Sequence, residues 1–156
     1  MYQIDNTKTA TQNLIGLINS GSTVVFTGTE FTVGPPTPFT PTEQGEVTNT
    51  QILLTATEGS GYMGTQSPRY VRLTVGDTRP GAFSTWAVNS AKTRVQLIAD
   101  ILENHKLVAS EIDFTGLEGG MPAAGQQGTL TATAKAGSYL YIGSFAFTVQ
   151  NTDPPA

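Results

Sequence analysis

The sequence predicts an α+β fold, mostly β, built from two tandem copies of a helix–strand–β-hairpin unit, each small antiparallel sheet backed by one helix. Three observations lead there. The same short motifs occur in the same order in both halves of the 156 residues. Charged residues make up only 13% of the chain, well under the ~25% of ordinary soluble domains, while threonine and glycine are abundant. Apolar residues recur at helical spacing in two places and alternate at strand spacing in several others.

The repeat appears when the second half is laid against the first. Lys8-Thr9 precedes Leu14-Ile15-Gly16-Leu17-Ile18, and Lys92-Thr93 precedes Leu97-Ile98-Ala99-Asp100-Ile101-Leu102. Glu30-Phe31-Thr32 answers Asp113-Phe114-Thr115, and Gln44-Gly45 answers Gln127-Gly128. Leu54-Thr55-Ala56-Thr57 recurs letter for letter as Leu130-Thr131-Ala132-Thr133. The copies are therefore placed at 1–78, with a Pro-rich arm over 34–45, and at 79–156, with a Pro-rich tail.

Taken in order, the first helix is expected over Asn6 to Asn19, with Asn6 or Asp5 as N-cap and Gly21 as a left-handed C′ residue. Strands are expected at Thr23–Phe26, reaching toward Val33, then at Gln51–Thr57 and Arg69–Val75. Between them the arm Gly34–Gly45 holds four of the nine prolines, so it should be extended and confined to a sheet edge. The second helix, Asn89 to Asn104, carries Val95, Ile98, Ile101 and Leu102 on one face. Strands follow near Glu111–Phe114, Thr129–Ala134 and Tyr139–Val149, with Lys135-Ala136-Gly137-Ser138 as a tight turn. Alternation of Tyr139, Tyr141, Phe145 and Phe147 with Leu140, Ile142 and Ala146 implies a strand covered on both faces.

Composition narrows the function. A net charge of −4 with eight scattered Lys and Arg residues gives no basic field for nucleic acid. There is no cysteine, which removes thiol nucleophiles, disulfides and thiolate metal sites. The N-terminus has no basic and apolar leader pattern and no apolar run spans a bilayer, so the expected route is folding in the cytoplasm with no membrane partner.

Candidate chemistry is sparse. His105, the single histidine, falls past the expected helix end, where it can meet the last carbonyls and the helix dipole. Glu111 and Asp113 lie two apart and read as a solvated strand face rather than a calcium or acid–base pair. The glycine clusters Gly59-Ser60-Gly61 and Gly116–Gly120 match no phosphate-binding pattern and read as turns. No catalytic, metal or cofactor-binding residue is expected. The candidate assembly contacts are Pro35, Pro36, Pro38, Phe39 and Pro41 of the arm, Trp86 between the copies, and Pro154 and Pro155 of the tail.

The apolar helix, the Asp113-Phe114-Thr115 type of strand, and the hairpin Leu130-Thr131-Ala132-Thr133 through Tyr139-Leu140-Tyr141-Ile142-Gly143 together resemble the small virion structural proteins of large tailed bacteriophages. The resemblance covers most of the chain and is one of layout. It implies a non-enzymatic capsid decoration or tail and neck component, located in the virion, whose partners are other copies of itself and other virion proteins. The arm from Gly34 to Pro41 departs from the plainer layout of that family. The competing expectation is a soluble β-rich adhesin module that presents an exposed aromatic platform to a carbohydrate or host-surface ligand.

Overall fold

Two helices begin on the same device. In the computed structural model, which describes residues 2–155, α1 spans Ala10–Ser20 and α2 spans Arg94–His105. Thr9 Oγ1 accepts from the Gln12 amide at 3.2 Å while Gln12 Oε1 accepts from the Thr9 amide at 2.9 Å. Thr93 and Gln96 repeat both bonds at 3.2 and 2.9 Å. Each capping box satisfies amides that have no partner inside the helix.

Both helices start later than expected, and the reason is local. Asp5 Oδ1 accepts from the Thr7 amide at 3.0 Å, and Asn89 Oδ1 accepts from the Ala91 and Lys92 amides, both at 3.1 Å. These side chains turn the backbone ahead of the helix instead of capping it. At the far end Gly21 closes α1 with φ −107°, so the expected left-handed glycine is absent; the left-handed cap belongs to Lys106 after α2, at φ 53°.

Twelve strands follow in chain order: β1 Phe31–Val33, β2 Thr37–Pro38, β3 Thr50–Gln51, β4 Leu54–Ala56, β5 Thr65–Gln66, β6 Arg69–Tyr70, β7 Leu73–Thr74, β8 Thr85–Val88, β9 Ile112–Thr115, β10 Gln127–Ala134, β11 Tyr141–Ile142 and β12 Ser144–Asn151. The fold is thus α+β and mostly β, with several small, chiefly antiparallel sheets. Strands β1, β4 and β5 form one antiparallel sheet, and β2, β3 and β6 continue it as another. In the second half β9, β10 and β12 are antiparallel, and β8 joins β12 in parallel. Strand β7 pairs in parallel with β11.

The registers of the two halves run alike. Phe31 faces Ala56 and Thr32 faces Thr55; Phe114 faces Ala132 and Thr115 faces Thr131. Leu54 faces Gln66 and Gln51 faces Arg69; Leu130 faces Phe147 and Gln127 faces Gln150. Gln51 therefore occupies the place of Gln127, and the expected match of Gln44 to Gln127 does not hold. Gly45, at φ 87°, sits in a turn of the arm, where the Glu46 amide donates to the Glu43 carbonyl.

Other strand expectations are corrected. Thr23–Phe26 forms no strand, because the Asn19 carboxamide takes both polar groups of Phe26: Oδ1 accepts from its amide at 2.9 Å and Nδ2 donates to its carbonyl at 2.8 Å. The stretch Tyr139–Val149 breaks at Gly143, φ 74°, so that β11 leaves the hairpin to meet β7. Strands β2, β5 and β8 were not expected.

One core is shared by both halves. Leu14, Ile52, Tyr70 and Val75 belong to the same buried cluster as Leu97, Ile101, Leu130 and Phe147. Full burial of each large apolar side chain contributes about 1.5–3 kcal/mol. Across the seam Tyr70 Oη donates to the Tyr139 carbonyl at 2.9 Å and the Arg72 guanidinium donates to the Ser138 carbonyl at 3.1 Å. The expected boundary near Thr78 and Arg79 is tethered too, since both side chains donate to carbonyls at the end of α2. Met1 and Ala156, the outer limits of the two expected copies, lie outside the described residues.

Candidate assembly interface

Proline in the arm acts as expected on the backbone and differently on reach. Thr37–Pro38 lies at a sheet edge as β2, against β3. Pro35 and Pro38 are exposed and Pro36 and Pro41 are half-buried. Phe39 is not free to reach a neighbour: its amide donates to the Asn49 carbonyl at 2.9 Å, and the Arg69 guanidinium stacks 4.0 Å from its ring centroid. Arg69 also pairs with Glu46 at 3.3 Å, which fixes the stack. The arm is folded onto its own lobe.

The remaining candidates gather around β8. Trp86 is half-buried, its indole donates to the Phe83 carbonyl at 3.2 Å, and its ring meets Phe83 edge-on at 5.8 Å. The tail comes back to the same strand, with the Thr152 amide donating to the Val88 carbonyl at 2.8 Å and Asp153 accepting from the Ser90 amide at 2.7 Å. Pro154 and Pro155 follow, both exposed. Among the described residues no hydrogen bond joins this group to the arm.

Two titratable residues stand elsewhere than expected. His105, expected just past the helix, is the last residue of α2 and is buried; its Nε2 lies 2.9 Å from the Phe83 carbonyl and its ring packs edge-on to Phe147 at 4.9 Å. Glu111 does not share a solvated face with Asp113. It is buried in a 3-10 turn, where Oε2 accepts from the Ser138 hydroxyl and the Tyr139 amide, both at 2.6 Å, and the carboxylate staples the Lys135–Ser138 turn to the sheet. Asp113 is exposed on β9. Among the described residues no cluster of three or more His, Cys, Asp or Glu stands ready for a metal ion, and no helix is long and apolar enough to cross a membrane.

The surface that sequence reasoning missed lies on the first lobe. Val24, Val25, Tyr62 and Met63 are 43%, 75%, 47% and 97% exposed. They stand around β5, whose two residues are both exposed. Between α1 and this sheet runs a groove of about 520 Å³, lined by Ile18, Val24, Phe26, Leu54 and Tyr62 among others. Phe26 and Tyr62 rings stand 5.7 Å apart at its mouth. Beside it Glu30 accepts from the Thr27 and Gly28 amides, and the Thr27 amide foremost pulls its carboxyl down to about 2. The legible signal was the uncharged run Gly59–Pro68, in which only turns were read.

A protein-family model matches residues 5–155, nearly the whole of this surface and core. The chain belongs to DUF7941, a family of unknown function. No curated protein and no solved structure matches the DUF7941 chain.

Proposed function

We propose that this chain is a non-enzymatic virion structural protein of a tailed bacteriophage, a capsid decoration or a tail and neck component, folded in the host cytoplasm and working through contacts with copies of itself and other virion proteins. The observation that carries the reading is the first-lobe surface. The two exposed residues of β5 form a short edge strand without a charged side chain, and among the described residues no strand pairs with its outer side. Exposed apolar side chains gathered in one patch mark an interaction surface.

The reading also treats the two lobes as tandem copies of one unit. Matching capping boxes and matching strand registers in the two halves support it, as does the Asx turn before each helix. Such duplication supplies two related surfaces for repetitive assembly.

Mass spectrometry of purified particles tests this. The chain should be present at a copy number set by particle symmetry. Its absence from particles, with a monomeric state in solution, ends the reading. A second reading, a soluble carbohydrate-binding adhesin module, draws on Tyr62, an exposed aromatic on a loop beside a groove. Glycan-array binding lost on Tyr62→Ala would favour it.

A further inference from the structure

Strand β9 ends its sheet, with β10 on one side and, among the described residues, no strand on the other. The Glu111 carbonyl faces inward and accepts from the Lys135 amide at 2.9 Å, so alternation turns the peptide groups of Ile112 and Phe114 outward. Outward peptide groups on a sheet edge are a template for a further strand. Here their carbonyls are already engaged. Arg94, the first residue of α2, donates from Nη2 to the Phe114 carbonyl at 2.9 Å and from Nε to the Gly116 carbonyl at 2.8 Å. Glu118 adds to the closure: its carboxylate accepts from the Gly116 amide at 2.6 Å and lies 3.8 Å from the Arg94 guanidinium. The chain turns back this sharply because Gly116 and Leu117 both take positive φ, 98° and 59°. A Cβ at Gly116 would stand 2.3 Å from the Thr129 carbonyl oxygen, so glycine is required there.

The first lobe has the matching edge without this closure. Phe31 faces Ala56 as Phe114 faces Ala132, and the Glu30 carbonyl faces inward to the Thr57 amide, so Phe31 and Val33 hold the places of Phe114 and Gly116. The capping threonines Thr9 and Thr93 also match, which sets Ala10 where Arg94 stands. Ala10 has no side-chain donor to offer a carbonyl. Two edges of one register are therefore finished differently, and a single long side chain makes most of the difference.

We propose that Arg94 is a lock on the outer edge of β9: its guanidinium occupies the carbonyls that another strand would need, and so keeps the second-lobe sheet from being extended by a strand of a second copy of this chain. Arginine suits the task because its rigid fork spans two acceptors, whereas lysine offers one compact ammonium. A strand arriving at β9 would have to break both bonds and leave the guanidinium against backbone without a partner, which is costly. The lock stands on these bonds alone and holds whether or not the chain is a virion component.

Sedimentation velocity and amide hydrogen exchange on the full chain test the lock. Arg94→Met keeps an apolar stem and removes both the fork and the charge. Relative to wild type its self-association should tighten about tenfold or more, and exchange in Ile112–Gly116 should slow as the protein concentration rises. Arg94→Lys, which keeps a cation and loses the fork, should fall between the two. If Arg94 served only to tie α2 to the sheet, both variants would lose stability, neither would associate more than wild type, and exchange in Ile112–Gly116 would quicken at every concentration. That result overturns the proposal, as does association that leaves exchange in Ile112–Gly116 unslowed, or a lysine variant that associates more tightly than the methionine one. A further measurement needs no variant. In the wild type the Arg94 Nε–H should exchange with solvent about tenfold more slowly than in the urea-unfolded chain, and equal rates would remove the lock.

Discussion

Tyr141 shows how much one side chain can be asked to do in a chain with few charges. Its hydroxyl accepts from the Val108 amide at 3.1 Å and lies 3.4 Å from the Lys106 carbonyl, binding the turn after α2 to the second lobe. Burial pushes its phenol up to about 12. Burial likewise raises Tyr70, whose hydroxyl closes the seam between lobes. A phenol with a raised folded-state pKa binds its proton more tightly in the native state than in the unfolded chain, so its contribution is intact below the ordinary value of 10 and is lost as pH rises toward 12. Urea midpoints should hold level up to that ordinary value and fall steeply beyond it; in Tyr141→Phe the alkaline fall should be shallower. His105 and Glu111 make the same point without titration. Glu111 was read on a solvated face and His105 at a helix end, and only long-range partners, the Ser138 turn for one and Phe147 for the other, bury them. Such partners are not visible in local sequence.

Helices and strands were legible to different degrees. Apolar spacing announced α1 and α2, although Val95, read on the packed face of α2, is exposed while Leu97 and Ile101 are buried, and the Leu54 and Leu130 tetrapeptides announced β4 and β10. What misled was competition from side chains: Asp5 and Asn89 delayed the helices by turning the chain, and Asn19 took the backbone of Phe26 out of any ladder. The true caps, Thr9 and Thr93, have the spacing of a capping box with Gln12 and Gln96 and were open to recognition from sequence. Thr93→Ala should cost about 1 kcal/mol, read as a lowered denaturation midpoint, because it strips the Gln96 amide of its acceptor. Thr9→Ala should cost a similar amount if the two elements are built alike. Strands β2, β5 and β8 escaped because each is short and takes its identity from a neighbour rather than from alternation.

For the molecule as a whole, the two lobes are alike in register and unequal in filling. Phe147 completes one core where Gln66 leaves the other open. Gln66→Phe should therefore stabilise the isolated chain, by up to about 1.5–3 kcal/mol if the ring buries fully in the groove. The measurement is the thermal or urea midpoint of the monomer, and a lowered midpoint would show that the groove cannot accept a ring. The pairing of β7 with β11 has a further consequence, in time rather than in space. Among the described residues the last strand of the first lobe pairs only with Tyr141–Ile142, so a nascent chain leaving the ribosome cannot finish its first half until nearly all of its second has emerged. Although its two halves run alike in register, the polypeptide should acquire its native shape late and in a single cooperative event.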